Sequence, residues 1–591
     1  MKPLYYFLAL IYSFTIIACA PKTLAQTPIY TNNKASRPNI VLILIDDLSH
    51  LGVTAYGANR VSSLKGLFEN VKFKTPVMDR LANAGVMFNN AHAYPLCEAT
   101  RIALMSGKLN ARNYLRPKSQ HASDITFADV FKMNGYATGM FGKWKQSRGT
   151  SKIHAKDYIF EFGWDEFTCF DVVGAGQRFI NPNLVRNGKT INYENRTDVD
   201  PLTGRRWYGP DICNRDALNF IDKHKDKPFF LYYPMLLVHD EHQPTPDTKP
   251  EHIFDTFKAE KAKGYKPDDQ RFFPDMIAYT DKLIGKVVAK LEEQNLINNT
   301  LIIIMGDNGT KESFSHIYPD NNVYPGRKGG TTDNGTHVPL IFYAPKHLPN
   351  AFVYDGLTNL TDIYPTIFDA AGIIPPNLNA IDGISFWNNI KTGKQVHRDI
   401  IYTWYNGNNF YTDESELLRF AFNKAFKYYA PTPAFPRGRF FDLRTDPLER
   451  VGDYFETRKF KVLLYSGLNI DKLDAEQQVN YEILKAEIEK NDYVAVTSLK
   501  IIAPKLSLKT GELLHLEHSI TPKHATRNNI IWHSEQPEIA TINKFGDLIA
   551  HKPGEATVTI YSWDDAYPQA SNAPVTFKTK GIKDEIKIVV Q

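Results

Sequence analysis

Cysteine is scarce, four residues in 591, and one of the four, Cys19, lies in the N-terminal leader. The remaining Cys97, Cys169 and Cys213 are too few for a disulfide framework, although Cys169 and Cys213 could pair in an oxidising compartment. An excess of one charge is also missing. Lys plus Arg (70) nearly balances Asp plus Glu (65), and the net +5 is not the basic surplus that nucleic-acid binders carry. An anionic substrate needs only a few placed cations and stays open. Past the leader no apolar run is long enough to span a bilayer, and there is no internal repeat or low-complexity tract. What remains is 43% hydrophobic and 13% aromatic, a globular composition in a chain too long for one ordinary core and therefore of several domains.

The leader, MKPLYYFLALIYSFTIIACA, has Lys2, an apolar stretch from Leu4 to Ala18 and then small residues, the pattern of an export signal over 1–25. Ile16-Ile17-Ala18-Cys19 resembles the bacterial lipoprotein box, which would make Cys19 the lipidated first residue. Cleavage after Ala25 is the alternative. Both readings predict an exported protein, periplasmic or at the outer membrane or cell surface, touching the membrane only through a lipid anchor.

Unbroken apolar runs mark the strands. Ile40 to Ile45 leads straight into Asp46 and Asp47, Leu301 to Met305 into Gly306, Asp307, Asn308 and Gly309, and Phe229 to Val238 into His239. Such runs predict strands buried on both faces. Apolar residues at helical spacing over 126–136, 211–227 and 274–294 predict helices between them, and the alternation predicts an α/β domain. Ligands of open α/β sheets collect at the carboxyl ends of strands, where Asp46, Asp47, His239, Asp307 and Asn308 all fall. Beyond residue 395, aromatic-rich short strands broken by Asn, Gly and Pro, with a helical stripe over 475–490, predict a small α+β subdomain. From 498 onward, short strands with turns at NKFGD and HKPGE predict an all-β sandwich.

Two adjacent aspartates at one strand end and Asp-Asn at another offer only oxygen ligands, which suit calcium, with magnesium second, better than zinc. Left alone, such carboxylates repel one another, and a divalent cation neutralises them. Taken singly, Asp46-Asp47 reads as a helix cap and Asp307-Asn308-Gly309 as a turn; their common position favours the metal. Cys97, in PLCEATRIALMSGK, reads as a buried structural thiol, a nucleophile or a cysteine modified after synthesis.

From Arg37 to about Gly452 the motifs resemble the sulfatases of the alkaline-phosphatase-like superfamily. They are Asp46-Asp47, Cys97-Glu98-Ala99-Thr100-Arg101 with Ser106-Gly107-Lys108, Gly142-Lys143-Trp144, Asp307-Asn308-Gly309, Lys328 ahead of Gly335-Thr336-His337-Val338-Pro339, and FDLRTDPLER over 441–450. Trp532 with the Gly546 and Gly554 turns resembles the bacterial Ig-like group 2 module. The resemblance implies an α/β sandwich with a central mixed sheet over 37–395, a C-terminal subdomain over 396–495 and an Ig-like domain over 498–591. It also implies that a maturation enzyme oxidises Cys97 to formylglycine. One hydroxyl of the hydrated aldehyde then attacks the sulfur of a sulfate ester, and the other expels sulfate, which a serine cannot do. By the same resemblance Asp46, Asp47, Asp307, Asn308 and Cys97 itself hold calcium, and Arg101 orients the nucleophile. Lys143 and Lys328 hold the sulfate oxygens, and His239 protonates the leaving alcohol or holds sulfate, with His242 its rival. Lys145 stands where many relatives carry histidine and joins the sulfate-binding set. Ala99 replaces the commoner proline, which leaves open whether an oxygen-dependent or a radical maturation enzyme reads the motif.

Three functions compete. An exported sulfatase acting on sulfated carbohydrate is the first. The second is a phosphoryl or phosphonate hydrolase on the same scaffold, since both esters react by an in-line path; aryl sulfate and aryl phosphate rates separate the two. A non-catalytic glycan-binding surface protein is the third, and the intact Cys97, Arg101, Lys143 and acidic pairs speak against it.

Overall fold

The run leading into Asp46 is a strand, β1 (Asn39–Ile45), buried at every residue. Its alternate side chains feed different cores, Ile40, Leu42 and Leu44 on one side, Val41, Ile43 and Ile45 on the other. Both faces of the sheet are therefore covered, which is why the run does not alternate with polar residues. Helices α1 (Cys97–Ser106) and α2 (Phe127–Met133) close the first side. Helices α3 (Gly209–His224) and α4 (Phe273–Glu293) close the second. This is a computed structural model that describes residues 37–591 except 115–118, 147–155, 171–176, 195, 263–266, 396, 407–416, 457–462, 569–574 and 578–581. The leader, with Cys19 and Ala25, lies outside the described residues.

The other strands of this sheet are β2 (Val86–Phe88), β3 (Ala137–Lys143), β4 (Glu166–Phe170), β5 (Asn183–Arg186), β6 (Lys189–Asn192), β7 (Phe229–Pro234), β8 (Thr300–Gly306), β9 (Leu340–Tyr343) and β10 (Phe352–Tyr354). They lie in the order β10-β2-β9-β8-β1-β7-β3-β4-β5-β6. The centre, β8-β1-β7-β3-β4, is parallel, and β9 and β5 join it antiparallel, so the sheet is mixed. The apolar run from Phe229 was expected to stay a strand up to His239. Instead β7 stops at Pro234, and residues 235–238 form a buried loop tied to the extension of β1 by Met235 N–H to Leu44 O and Val238 N–H to Asp46 O. Burial makes strand and loop equally apolar, so the pattern alone could not separate them.

Four antiparallel strands, Ile401–Asn406, Leu417–Phe422, Phe426–Tyr429 and Arg439–Asp442, form a second sheet. Helix α6 (Ala475–Lys490) starts at a capping box of Asp474 and Gln477 and packs Leu484 and Ile488 on that sheet. The all-β expectation from 498 also holds: strands from Ser498–Ile502 to Lys583–Val590 enclose Trp532, Leu548, Val558 and Ile588.

This last domain is docked, not tethered. Lys544, in its NKFGD turn, donates to Asp129 Oδ2 at 2.7 Å and to the carbonyls of Ala122, Asp124 and Glu161 at 3.0, 3.3 and 2.9 Å. Asn529 Oδ1 accepts from Lys108 at 2.5 Å, Arg527 donates to Tyr114 O at 2.7 Å, and the buried Trp563 indole donates to Ser123 Oγ at 3.0 Å. Cys169 and Cys213 are both free thiols, so the disulfide considered for them is not made. Among the described residues no helix is long and apolar enough to cross a membrane.

Candidate active site

Register builds the centre of the site. Ile45 of β1 pairs with Gly306 of β8, so the next residues, Asp46 and Asp307, emerge side by side at the carboxyl end of the sheet. Asp307 N–H bonds Ile45 O at 3.0 Å, and Asp307 Oδ1 accepts from Asp47 N–H at 2.9 Å. Strand β3, two places away, delivers Lys143, whose Nζ lies 2.8 and 2.7 Å from the two oxygens of Asp46. All of these side chains are buried.

Cys97 is the first residue of α1 and Arg101 stands one turn later, a spacing that puts both on one helix face. Arg101 is wholly buried; it donates to Asp307 Oδ2 at 2.8 Å and to Lys143 O at 3.1 Å, and lies 3.5 Å from Asp46 Oδ1. Thr100 Oγ1 donates to Asp307 O at 2.6 Å, a second tie between the helix and β8. One ligand atom from each of Asp46, Cys97 and Asp307 falls within 4.8 Å of the others, and the same holds for Asp46, Asp47 and His239. Cys97 Sγ sits 3.1 Å from Glu98 Oε2. Burial, reinforced by the Glu98 charge, pushes the thiol up to about 12, so as a plain cysteine it stays protonated at neutral pH and is a poor nucleophile.

On the other side Lys328 Nζ lies 2.5 Å from Asp47 Oδ2 and 3.0 Å from His239 Nε2. The loop position of His239 therefore still brings it to Asp47, at 3.7 Å. Its Nδ1 is held 2.5 Å from Asp240 Oδ1, and Asp240 in turn pairs with Lys311 at 2.6 Å. His242 turns away: it bonds Asp268 at 2.7 Å and packs edge-on against Phe273 and Phe314. Lys145 sits in the left-handed region, φ 47°, with Nζ 3.9 Å from Oε1 of Glu98, the residue after Cys97. Sequence reasoning missed Thr100, Asp240 and Lys311. Thr100 left a signal, its place inside the Cys97 to Arg101 motif, and Asp240 another, its place next to His239; Lys311, seventy-one positions from Asp240, carries none.

Charge at the site is unevenly met. Burial alone would raise Asp46, but Lys143, His239 and Arg101 hold it well below the usual carboxylate range. Asp47 is likewise held down, by His239 and Lys328 against burial. Asp307 goes the other way, pushed up to about 7 by burial and by the Asp46 charge despite Arg101. His239 is lowered by burial and by Lys143 and Arg178, against the pull of Asp47. Asn308 Nδ2 donates to Asp47 Oδ1 at 2.9 Å, yet Asn308 Oδ1 is buried without a partner. An orphaned acceptor beside three crowded carboxylates fits a hard divalent cation. Asp46, Asp47, Asp307 and Asn308 are the residues that would hold it.

A mixed sheet covered on both faces, with an acidic cluster, buried cations and a helix-borne cysteine at its carboxyl edge, is the architecture of a sulfatase. The sulfatase family profile matches residues 38–373, more than half the chain, and this protein belongs to that family: it is a sulfuric ester hydrolase. The bacterial Ig-like domain (group 2) profile matches residues 495–567. Among curated relatives, human arylsulfatase D is 26% identical over 448 residues, covering 62% of this chain and 69% of its own length. Human N-acetylgalactosamine-6-sulfatase is 26% identical over 386 residues, covering 62% and 68%. The solved structure of Ps i-CgsB in complex with k-i-k-neocarrahexaose shares the fold at a TM-score of 0.55 and 23% identity, over 77% of this chain and 92% of that one. BT4656 in complex with its substrate D-glucosamine-2-N,6-O-disulfate does so at 0.55 and 19%, over 77% and 97%. Sulfatases generally use a formylglycine and a divalent metal.

Proposed function

We propose that this chain is an exported sulfatase that removes sulfate from sulfated carbohydrate, with Cys97 matured to formylglycine and calcium held by Asp46, Asp47, Asp307 and Asn308. The observation that carries the reading is the convergence of Cys97 with Asp46 and Asp307 within 4.8 Å, beside the buried cations Arg101 and Lys143 and the partly buried Lys328. The hydrated aldehyde would supply a nucleophile with a second hydroxyl for release, and the ion would draw electron density from the sulfate oxygens.

The chain's own groups do the rest. Lys143 and Lys328, both raised above the ordinary lysine value by the aspartates they contact against the opposing effect of burial, stay charged and present N–H donors to the sulfate oxygens as charge builds there. Arg101 spends its two amino groups on Asp307 and the Lys143 carbonyl, so it fixes α1 against both strands; its buried Nε–H has no partner and is the donor left for the modified side chain at position 97. His239 keeps Nδ1 on Asp240 and turns Nε2 inward beside Lys328, where it would hold a sulfate oxygen or, once protonated at Nε2, pass that proton to the leaving alcohol. Lys145 adds positive charge at the edge of the site.

Substrate class rests on two supports: the export that the leader predicts, and the sugars bound by neighbours of the same fold, k-i-k-neocarrahexaose and D-glucosamine-2-N,6-O-disulfate. The leader supports a periplasmic or cell-surface location, with the lipid anchor at Cys19 as its one membrane contact, and a maturation enzyme for Cys97 is a required partner. Mass analysis of the Cys97 peptide from a host able to mature it, with turnover of paired aryl sulfate and aryl phosphate and of defined sulfated oligosaccharides, tests the reading. A formylglycine mass, strong preference for sulfate and loss of turnover on chelation, restored by calcium, are expected. An unmodified thiol in active protein overturns it.

A further inference from the structure

A second group of metal-type ligands lies outside the sulfate site. His92 ends the short strand Ala91–His92, five residues before Cys97; Asp333 opens the short helix α5 (Asp333–Thr336), five residues after Lys328, and His337 follows it. Asp333 and His337 are four apart and share a helix face, and a bridge pairs His92 with His337. One ligand atom from each of the three lies within 4.8 Å of the others.

The hydrogen bonds around them determine which lone pairs are available. His337 Nε2 lies 2.9 Å from Asn89 O; a carbonyl only accepts, so Nε2 carries the proton. His337 turns its Nδ1 to Asp333, whose oxygens stand 3.3 and 3.4 Å away. A charged N–H···O bond would close to about 2.7–2.9 Å. Bonds of about 2.0–2.2 Å to a four-coordinate ion put neighbouring ligand atoms about 3.3 Å apart, the spacing of His337 Nδ1 from Asp333 Oδ1; His92 stands within 4.8 Å of both. Tyr324 O–H donates to Asp333 Oδ2 at 2.6 Å and fixes the carboxylate. The His92 ring lies 5.0 Å from that of His337, and burial lowers it to about 3, which keeps it in the neutral, ligating form. Thr336 Oγ1 contacts His92 Nδ1 at 3.2 Å, leaving Nε2. His50 stacks on His337 at 3.7 Å, so three imidazoles crowd one carboxylate. Two imidazole nitrogens and one carboxylate are donors for zinc rather than calcium, unlike the all-oxygen set at the sulfate site.

We propose that His92, Asp333 and His337 form a second metal site, for zinc or a similar four-coordinate transition ion with water as the fourth ligand, that clamps the segment entering Cys97 to the segment leaving Lys328.

The test uses the full chain saturated with calcium, titrated with cobalt(II) and with zinc, and read by the visible absorption of four-coordinate cobalt and by bound zinc per chain. Wild-type protein is expected to take up about one such ion per chain. His92→Gln and Asp333→Asn are each expected to weaken uptake at least tenfold with the circular dichroism unchanged, while Asp47→Asn keeps it. The proposal is overturned if wild-type protein binds neither ion, if binding survives both substitutions, or if Asp47→Asn abolishes it. Should one variant fail to fold, the other and the wild-type spectrum still decide. Since no readout is turnover, failure here leaves the sulfatase reading standing.

Discussion

At the scale of single residues, the site is a balance of buried charges, and Arg101 is its least replaceable member. Its guanidinium spans Asp307 and the Lys143 carbonyl from a position with no exposure to solvent. Removing one partner of a buried pair costs about 3–5 kcal/mol because the other is left uncompensated. Arg101→Ala is expected to lower the unfolding midpoint by that order and to cut aryl sulfate turnover at least a hundredfold. Arg101→Lys keeps the charge but cannot reach both acceptors, so stability should recover in part while turnover stays low. Equal turnover in Arg101→Ala and wild type would remove Arg101 from the site. Cys97, Arg101 and the two acidic pairs were legible in the sequence because their spacing is local: four residues for a helix face, none for a strand end. Asp240 and Lys311 were not, since the contact that joins them to His239 exists only after folding.

At the scale of elements, the junction after β3 shows how tightly a strand end is set. Gly142 holds φ 142°, and a Cβ there would stand 1.8 Å from Pro234 O on β7. The backbone of the neighbouring strand passes where a side chain would be, so Lys143 can reach Asp46 only if its predecessor is glycine. Gly142→Ala is expected to lose more than about 3 kcal/mol, beyond the usual cost of overpacking, and to appear in thermal melts as a large drop or as insoluble protein. A melt within a few degrees of wild type would mean β3 and β7 can part without penalty. Helix and strand positions were readable from periodicity, α6 over its full length, whereas the end of β7 was not, because a buried loop and a buried strand share one composition.

At the scale of the whole molecule, the Ig-like domain acts as a part of the catalytic body. Lys544 caps a ring of acceptors that includes Asp129, itself the capping-box partner of Thr126 at the start of α2. Lys544→Met keeps length and removes the charge, leaving Asp129 and three carbonyls short of a donor; a loss of about 3 kcal/mol or more is expected, read by chemical denaturation. Stability unchanged in Lys544→Met would show that the docking is incidental. The same interface should be acid-sensitive. Burial and the Lys544 charge lower His121, which lies against Trp563, from 6.5 to about 4. Its folded value is below its unfolded one, so the unfolded chain binds the extra proton first. Stability is then full above about 6.5 and falls as the pH drops towards about 4. In His121→Gln the unfolding midpoint should depend less on pH across that window, and an unchanged slope would assign the acid sensitivity elsewhere.

Local chemistry was written along the chain: which runs become doubly buried strands, which end in carboxylates, and which helix carries a cysteine and an arginine on one face. Convergence was not. Asp46 meets Asp307, His239 displaces His242 as the inward histidine, His92 finds His337, and Lys544 reaches Asp129 only because strand order and register bring residues hundreds of positions apart to one place. Spacing along a chain is set by bond geometry and periodicity, whereas proximity across it is set by how two apolar faces of one sheet are buried, and that is a property of the packed whole.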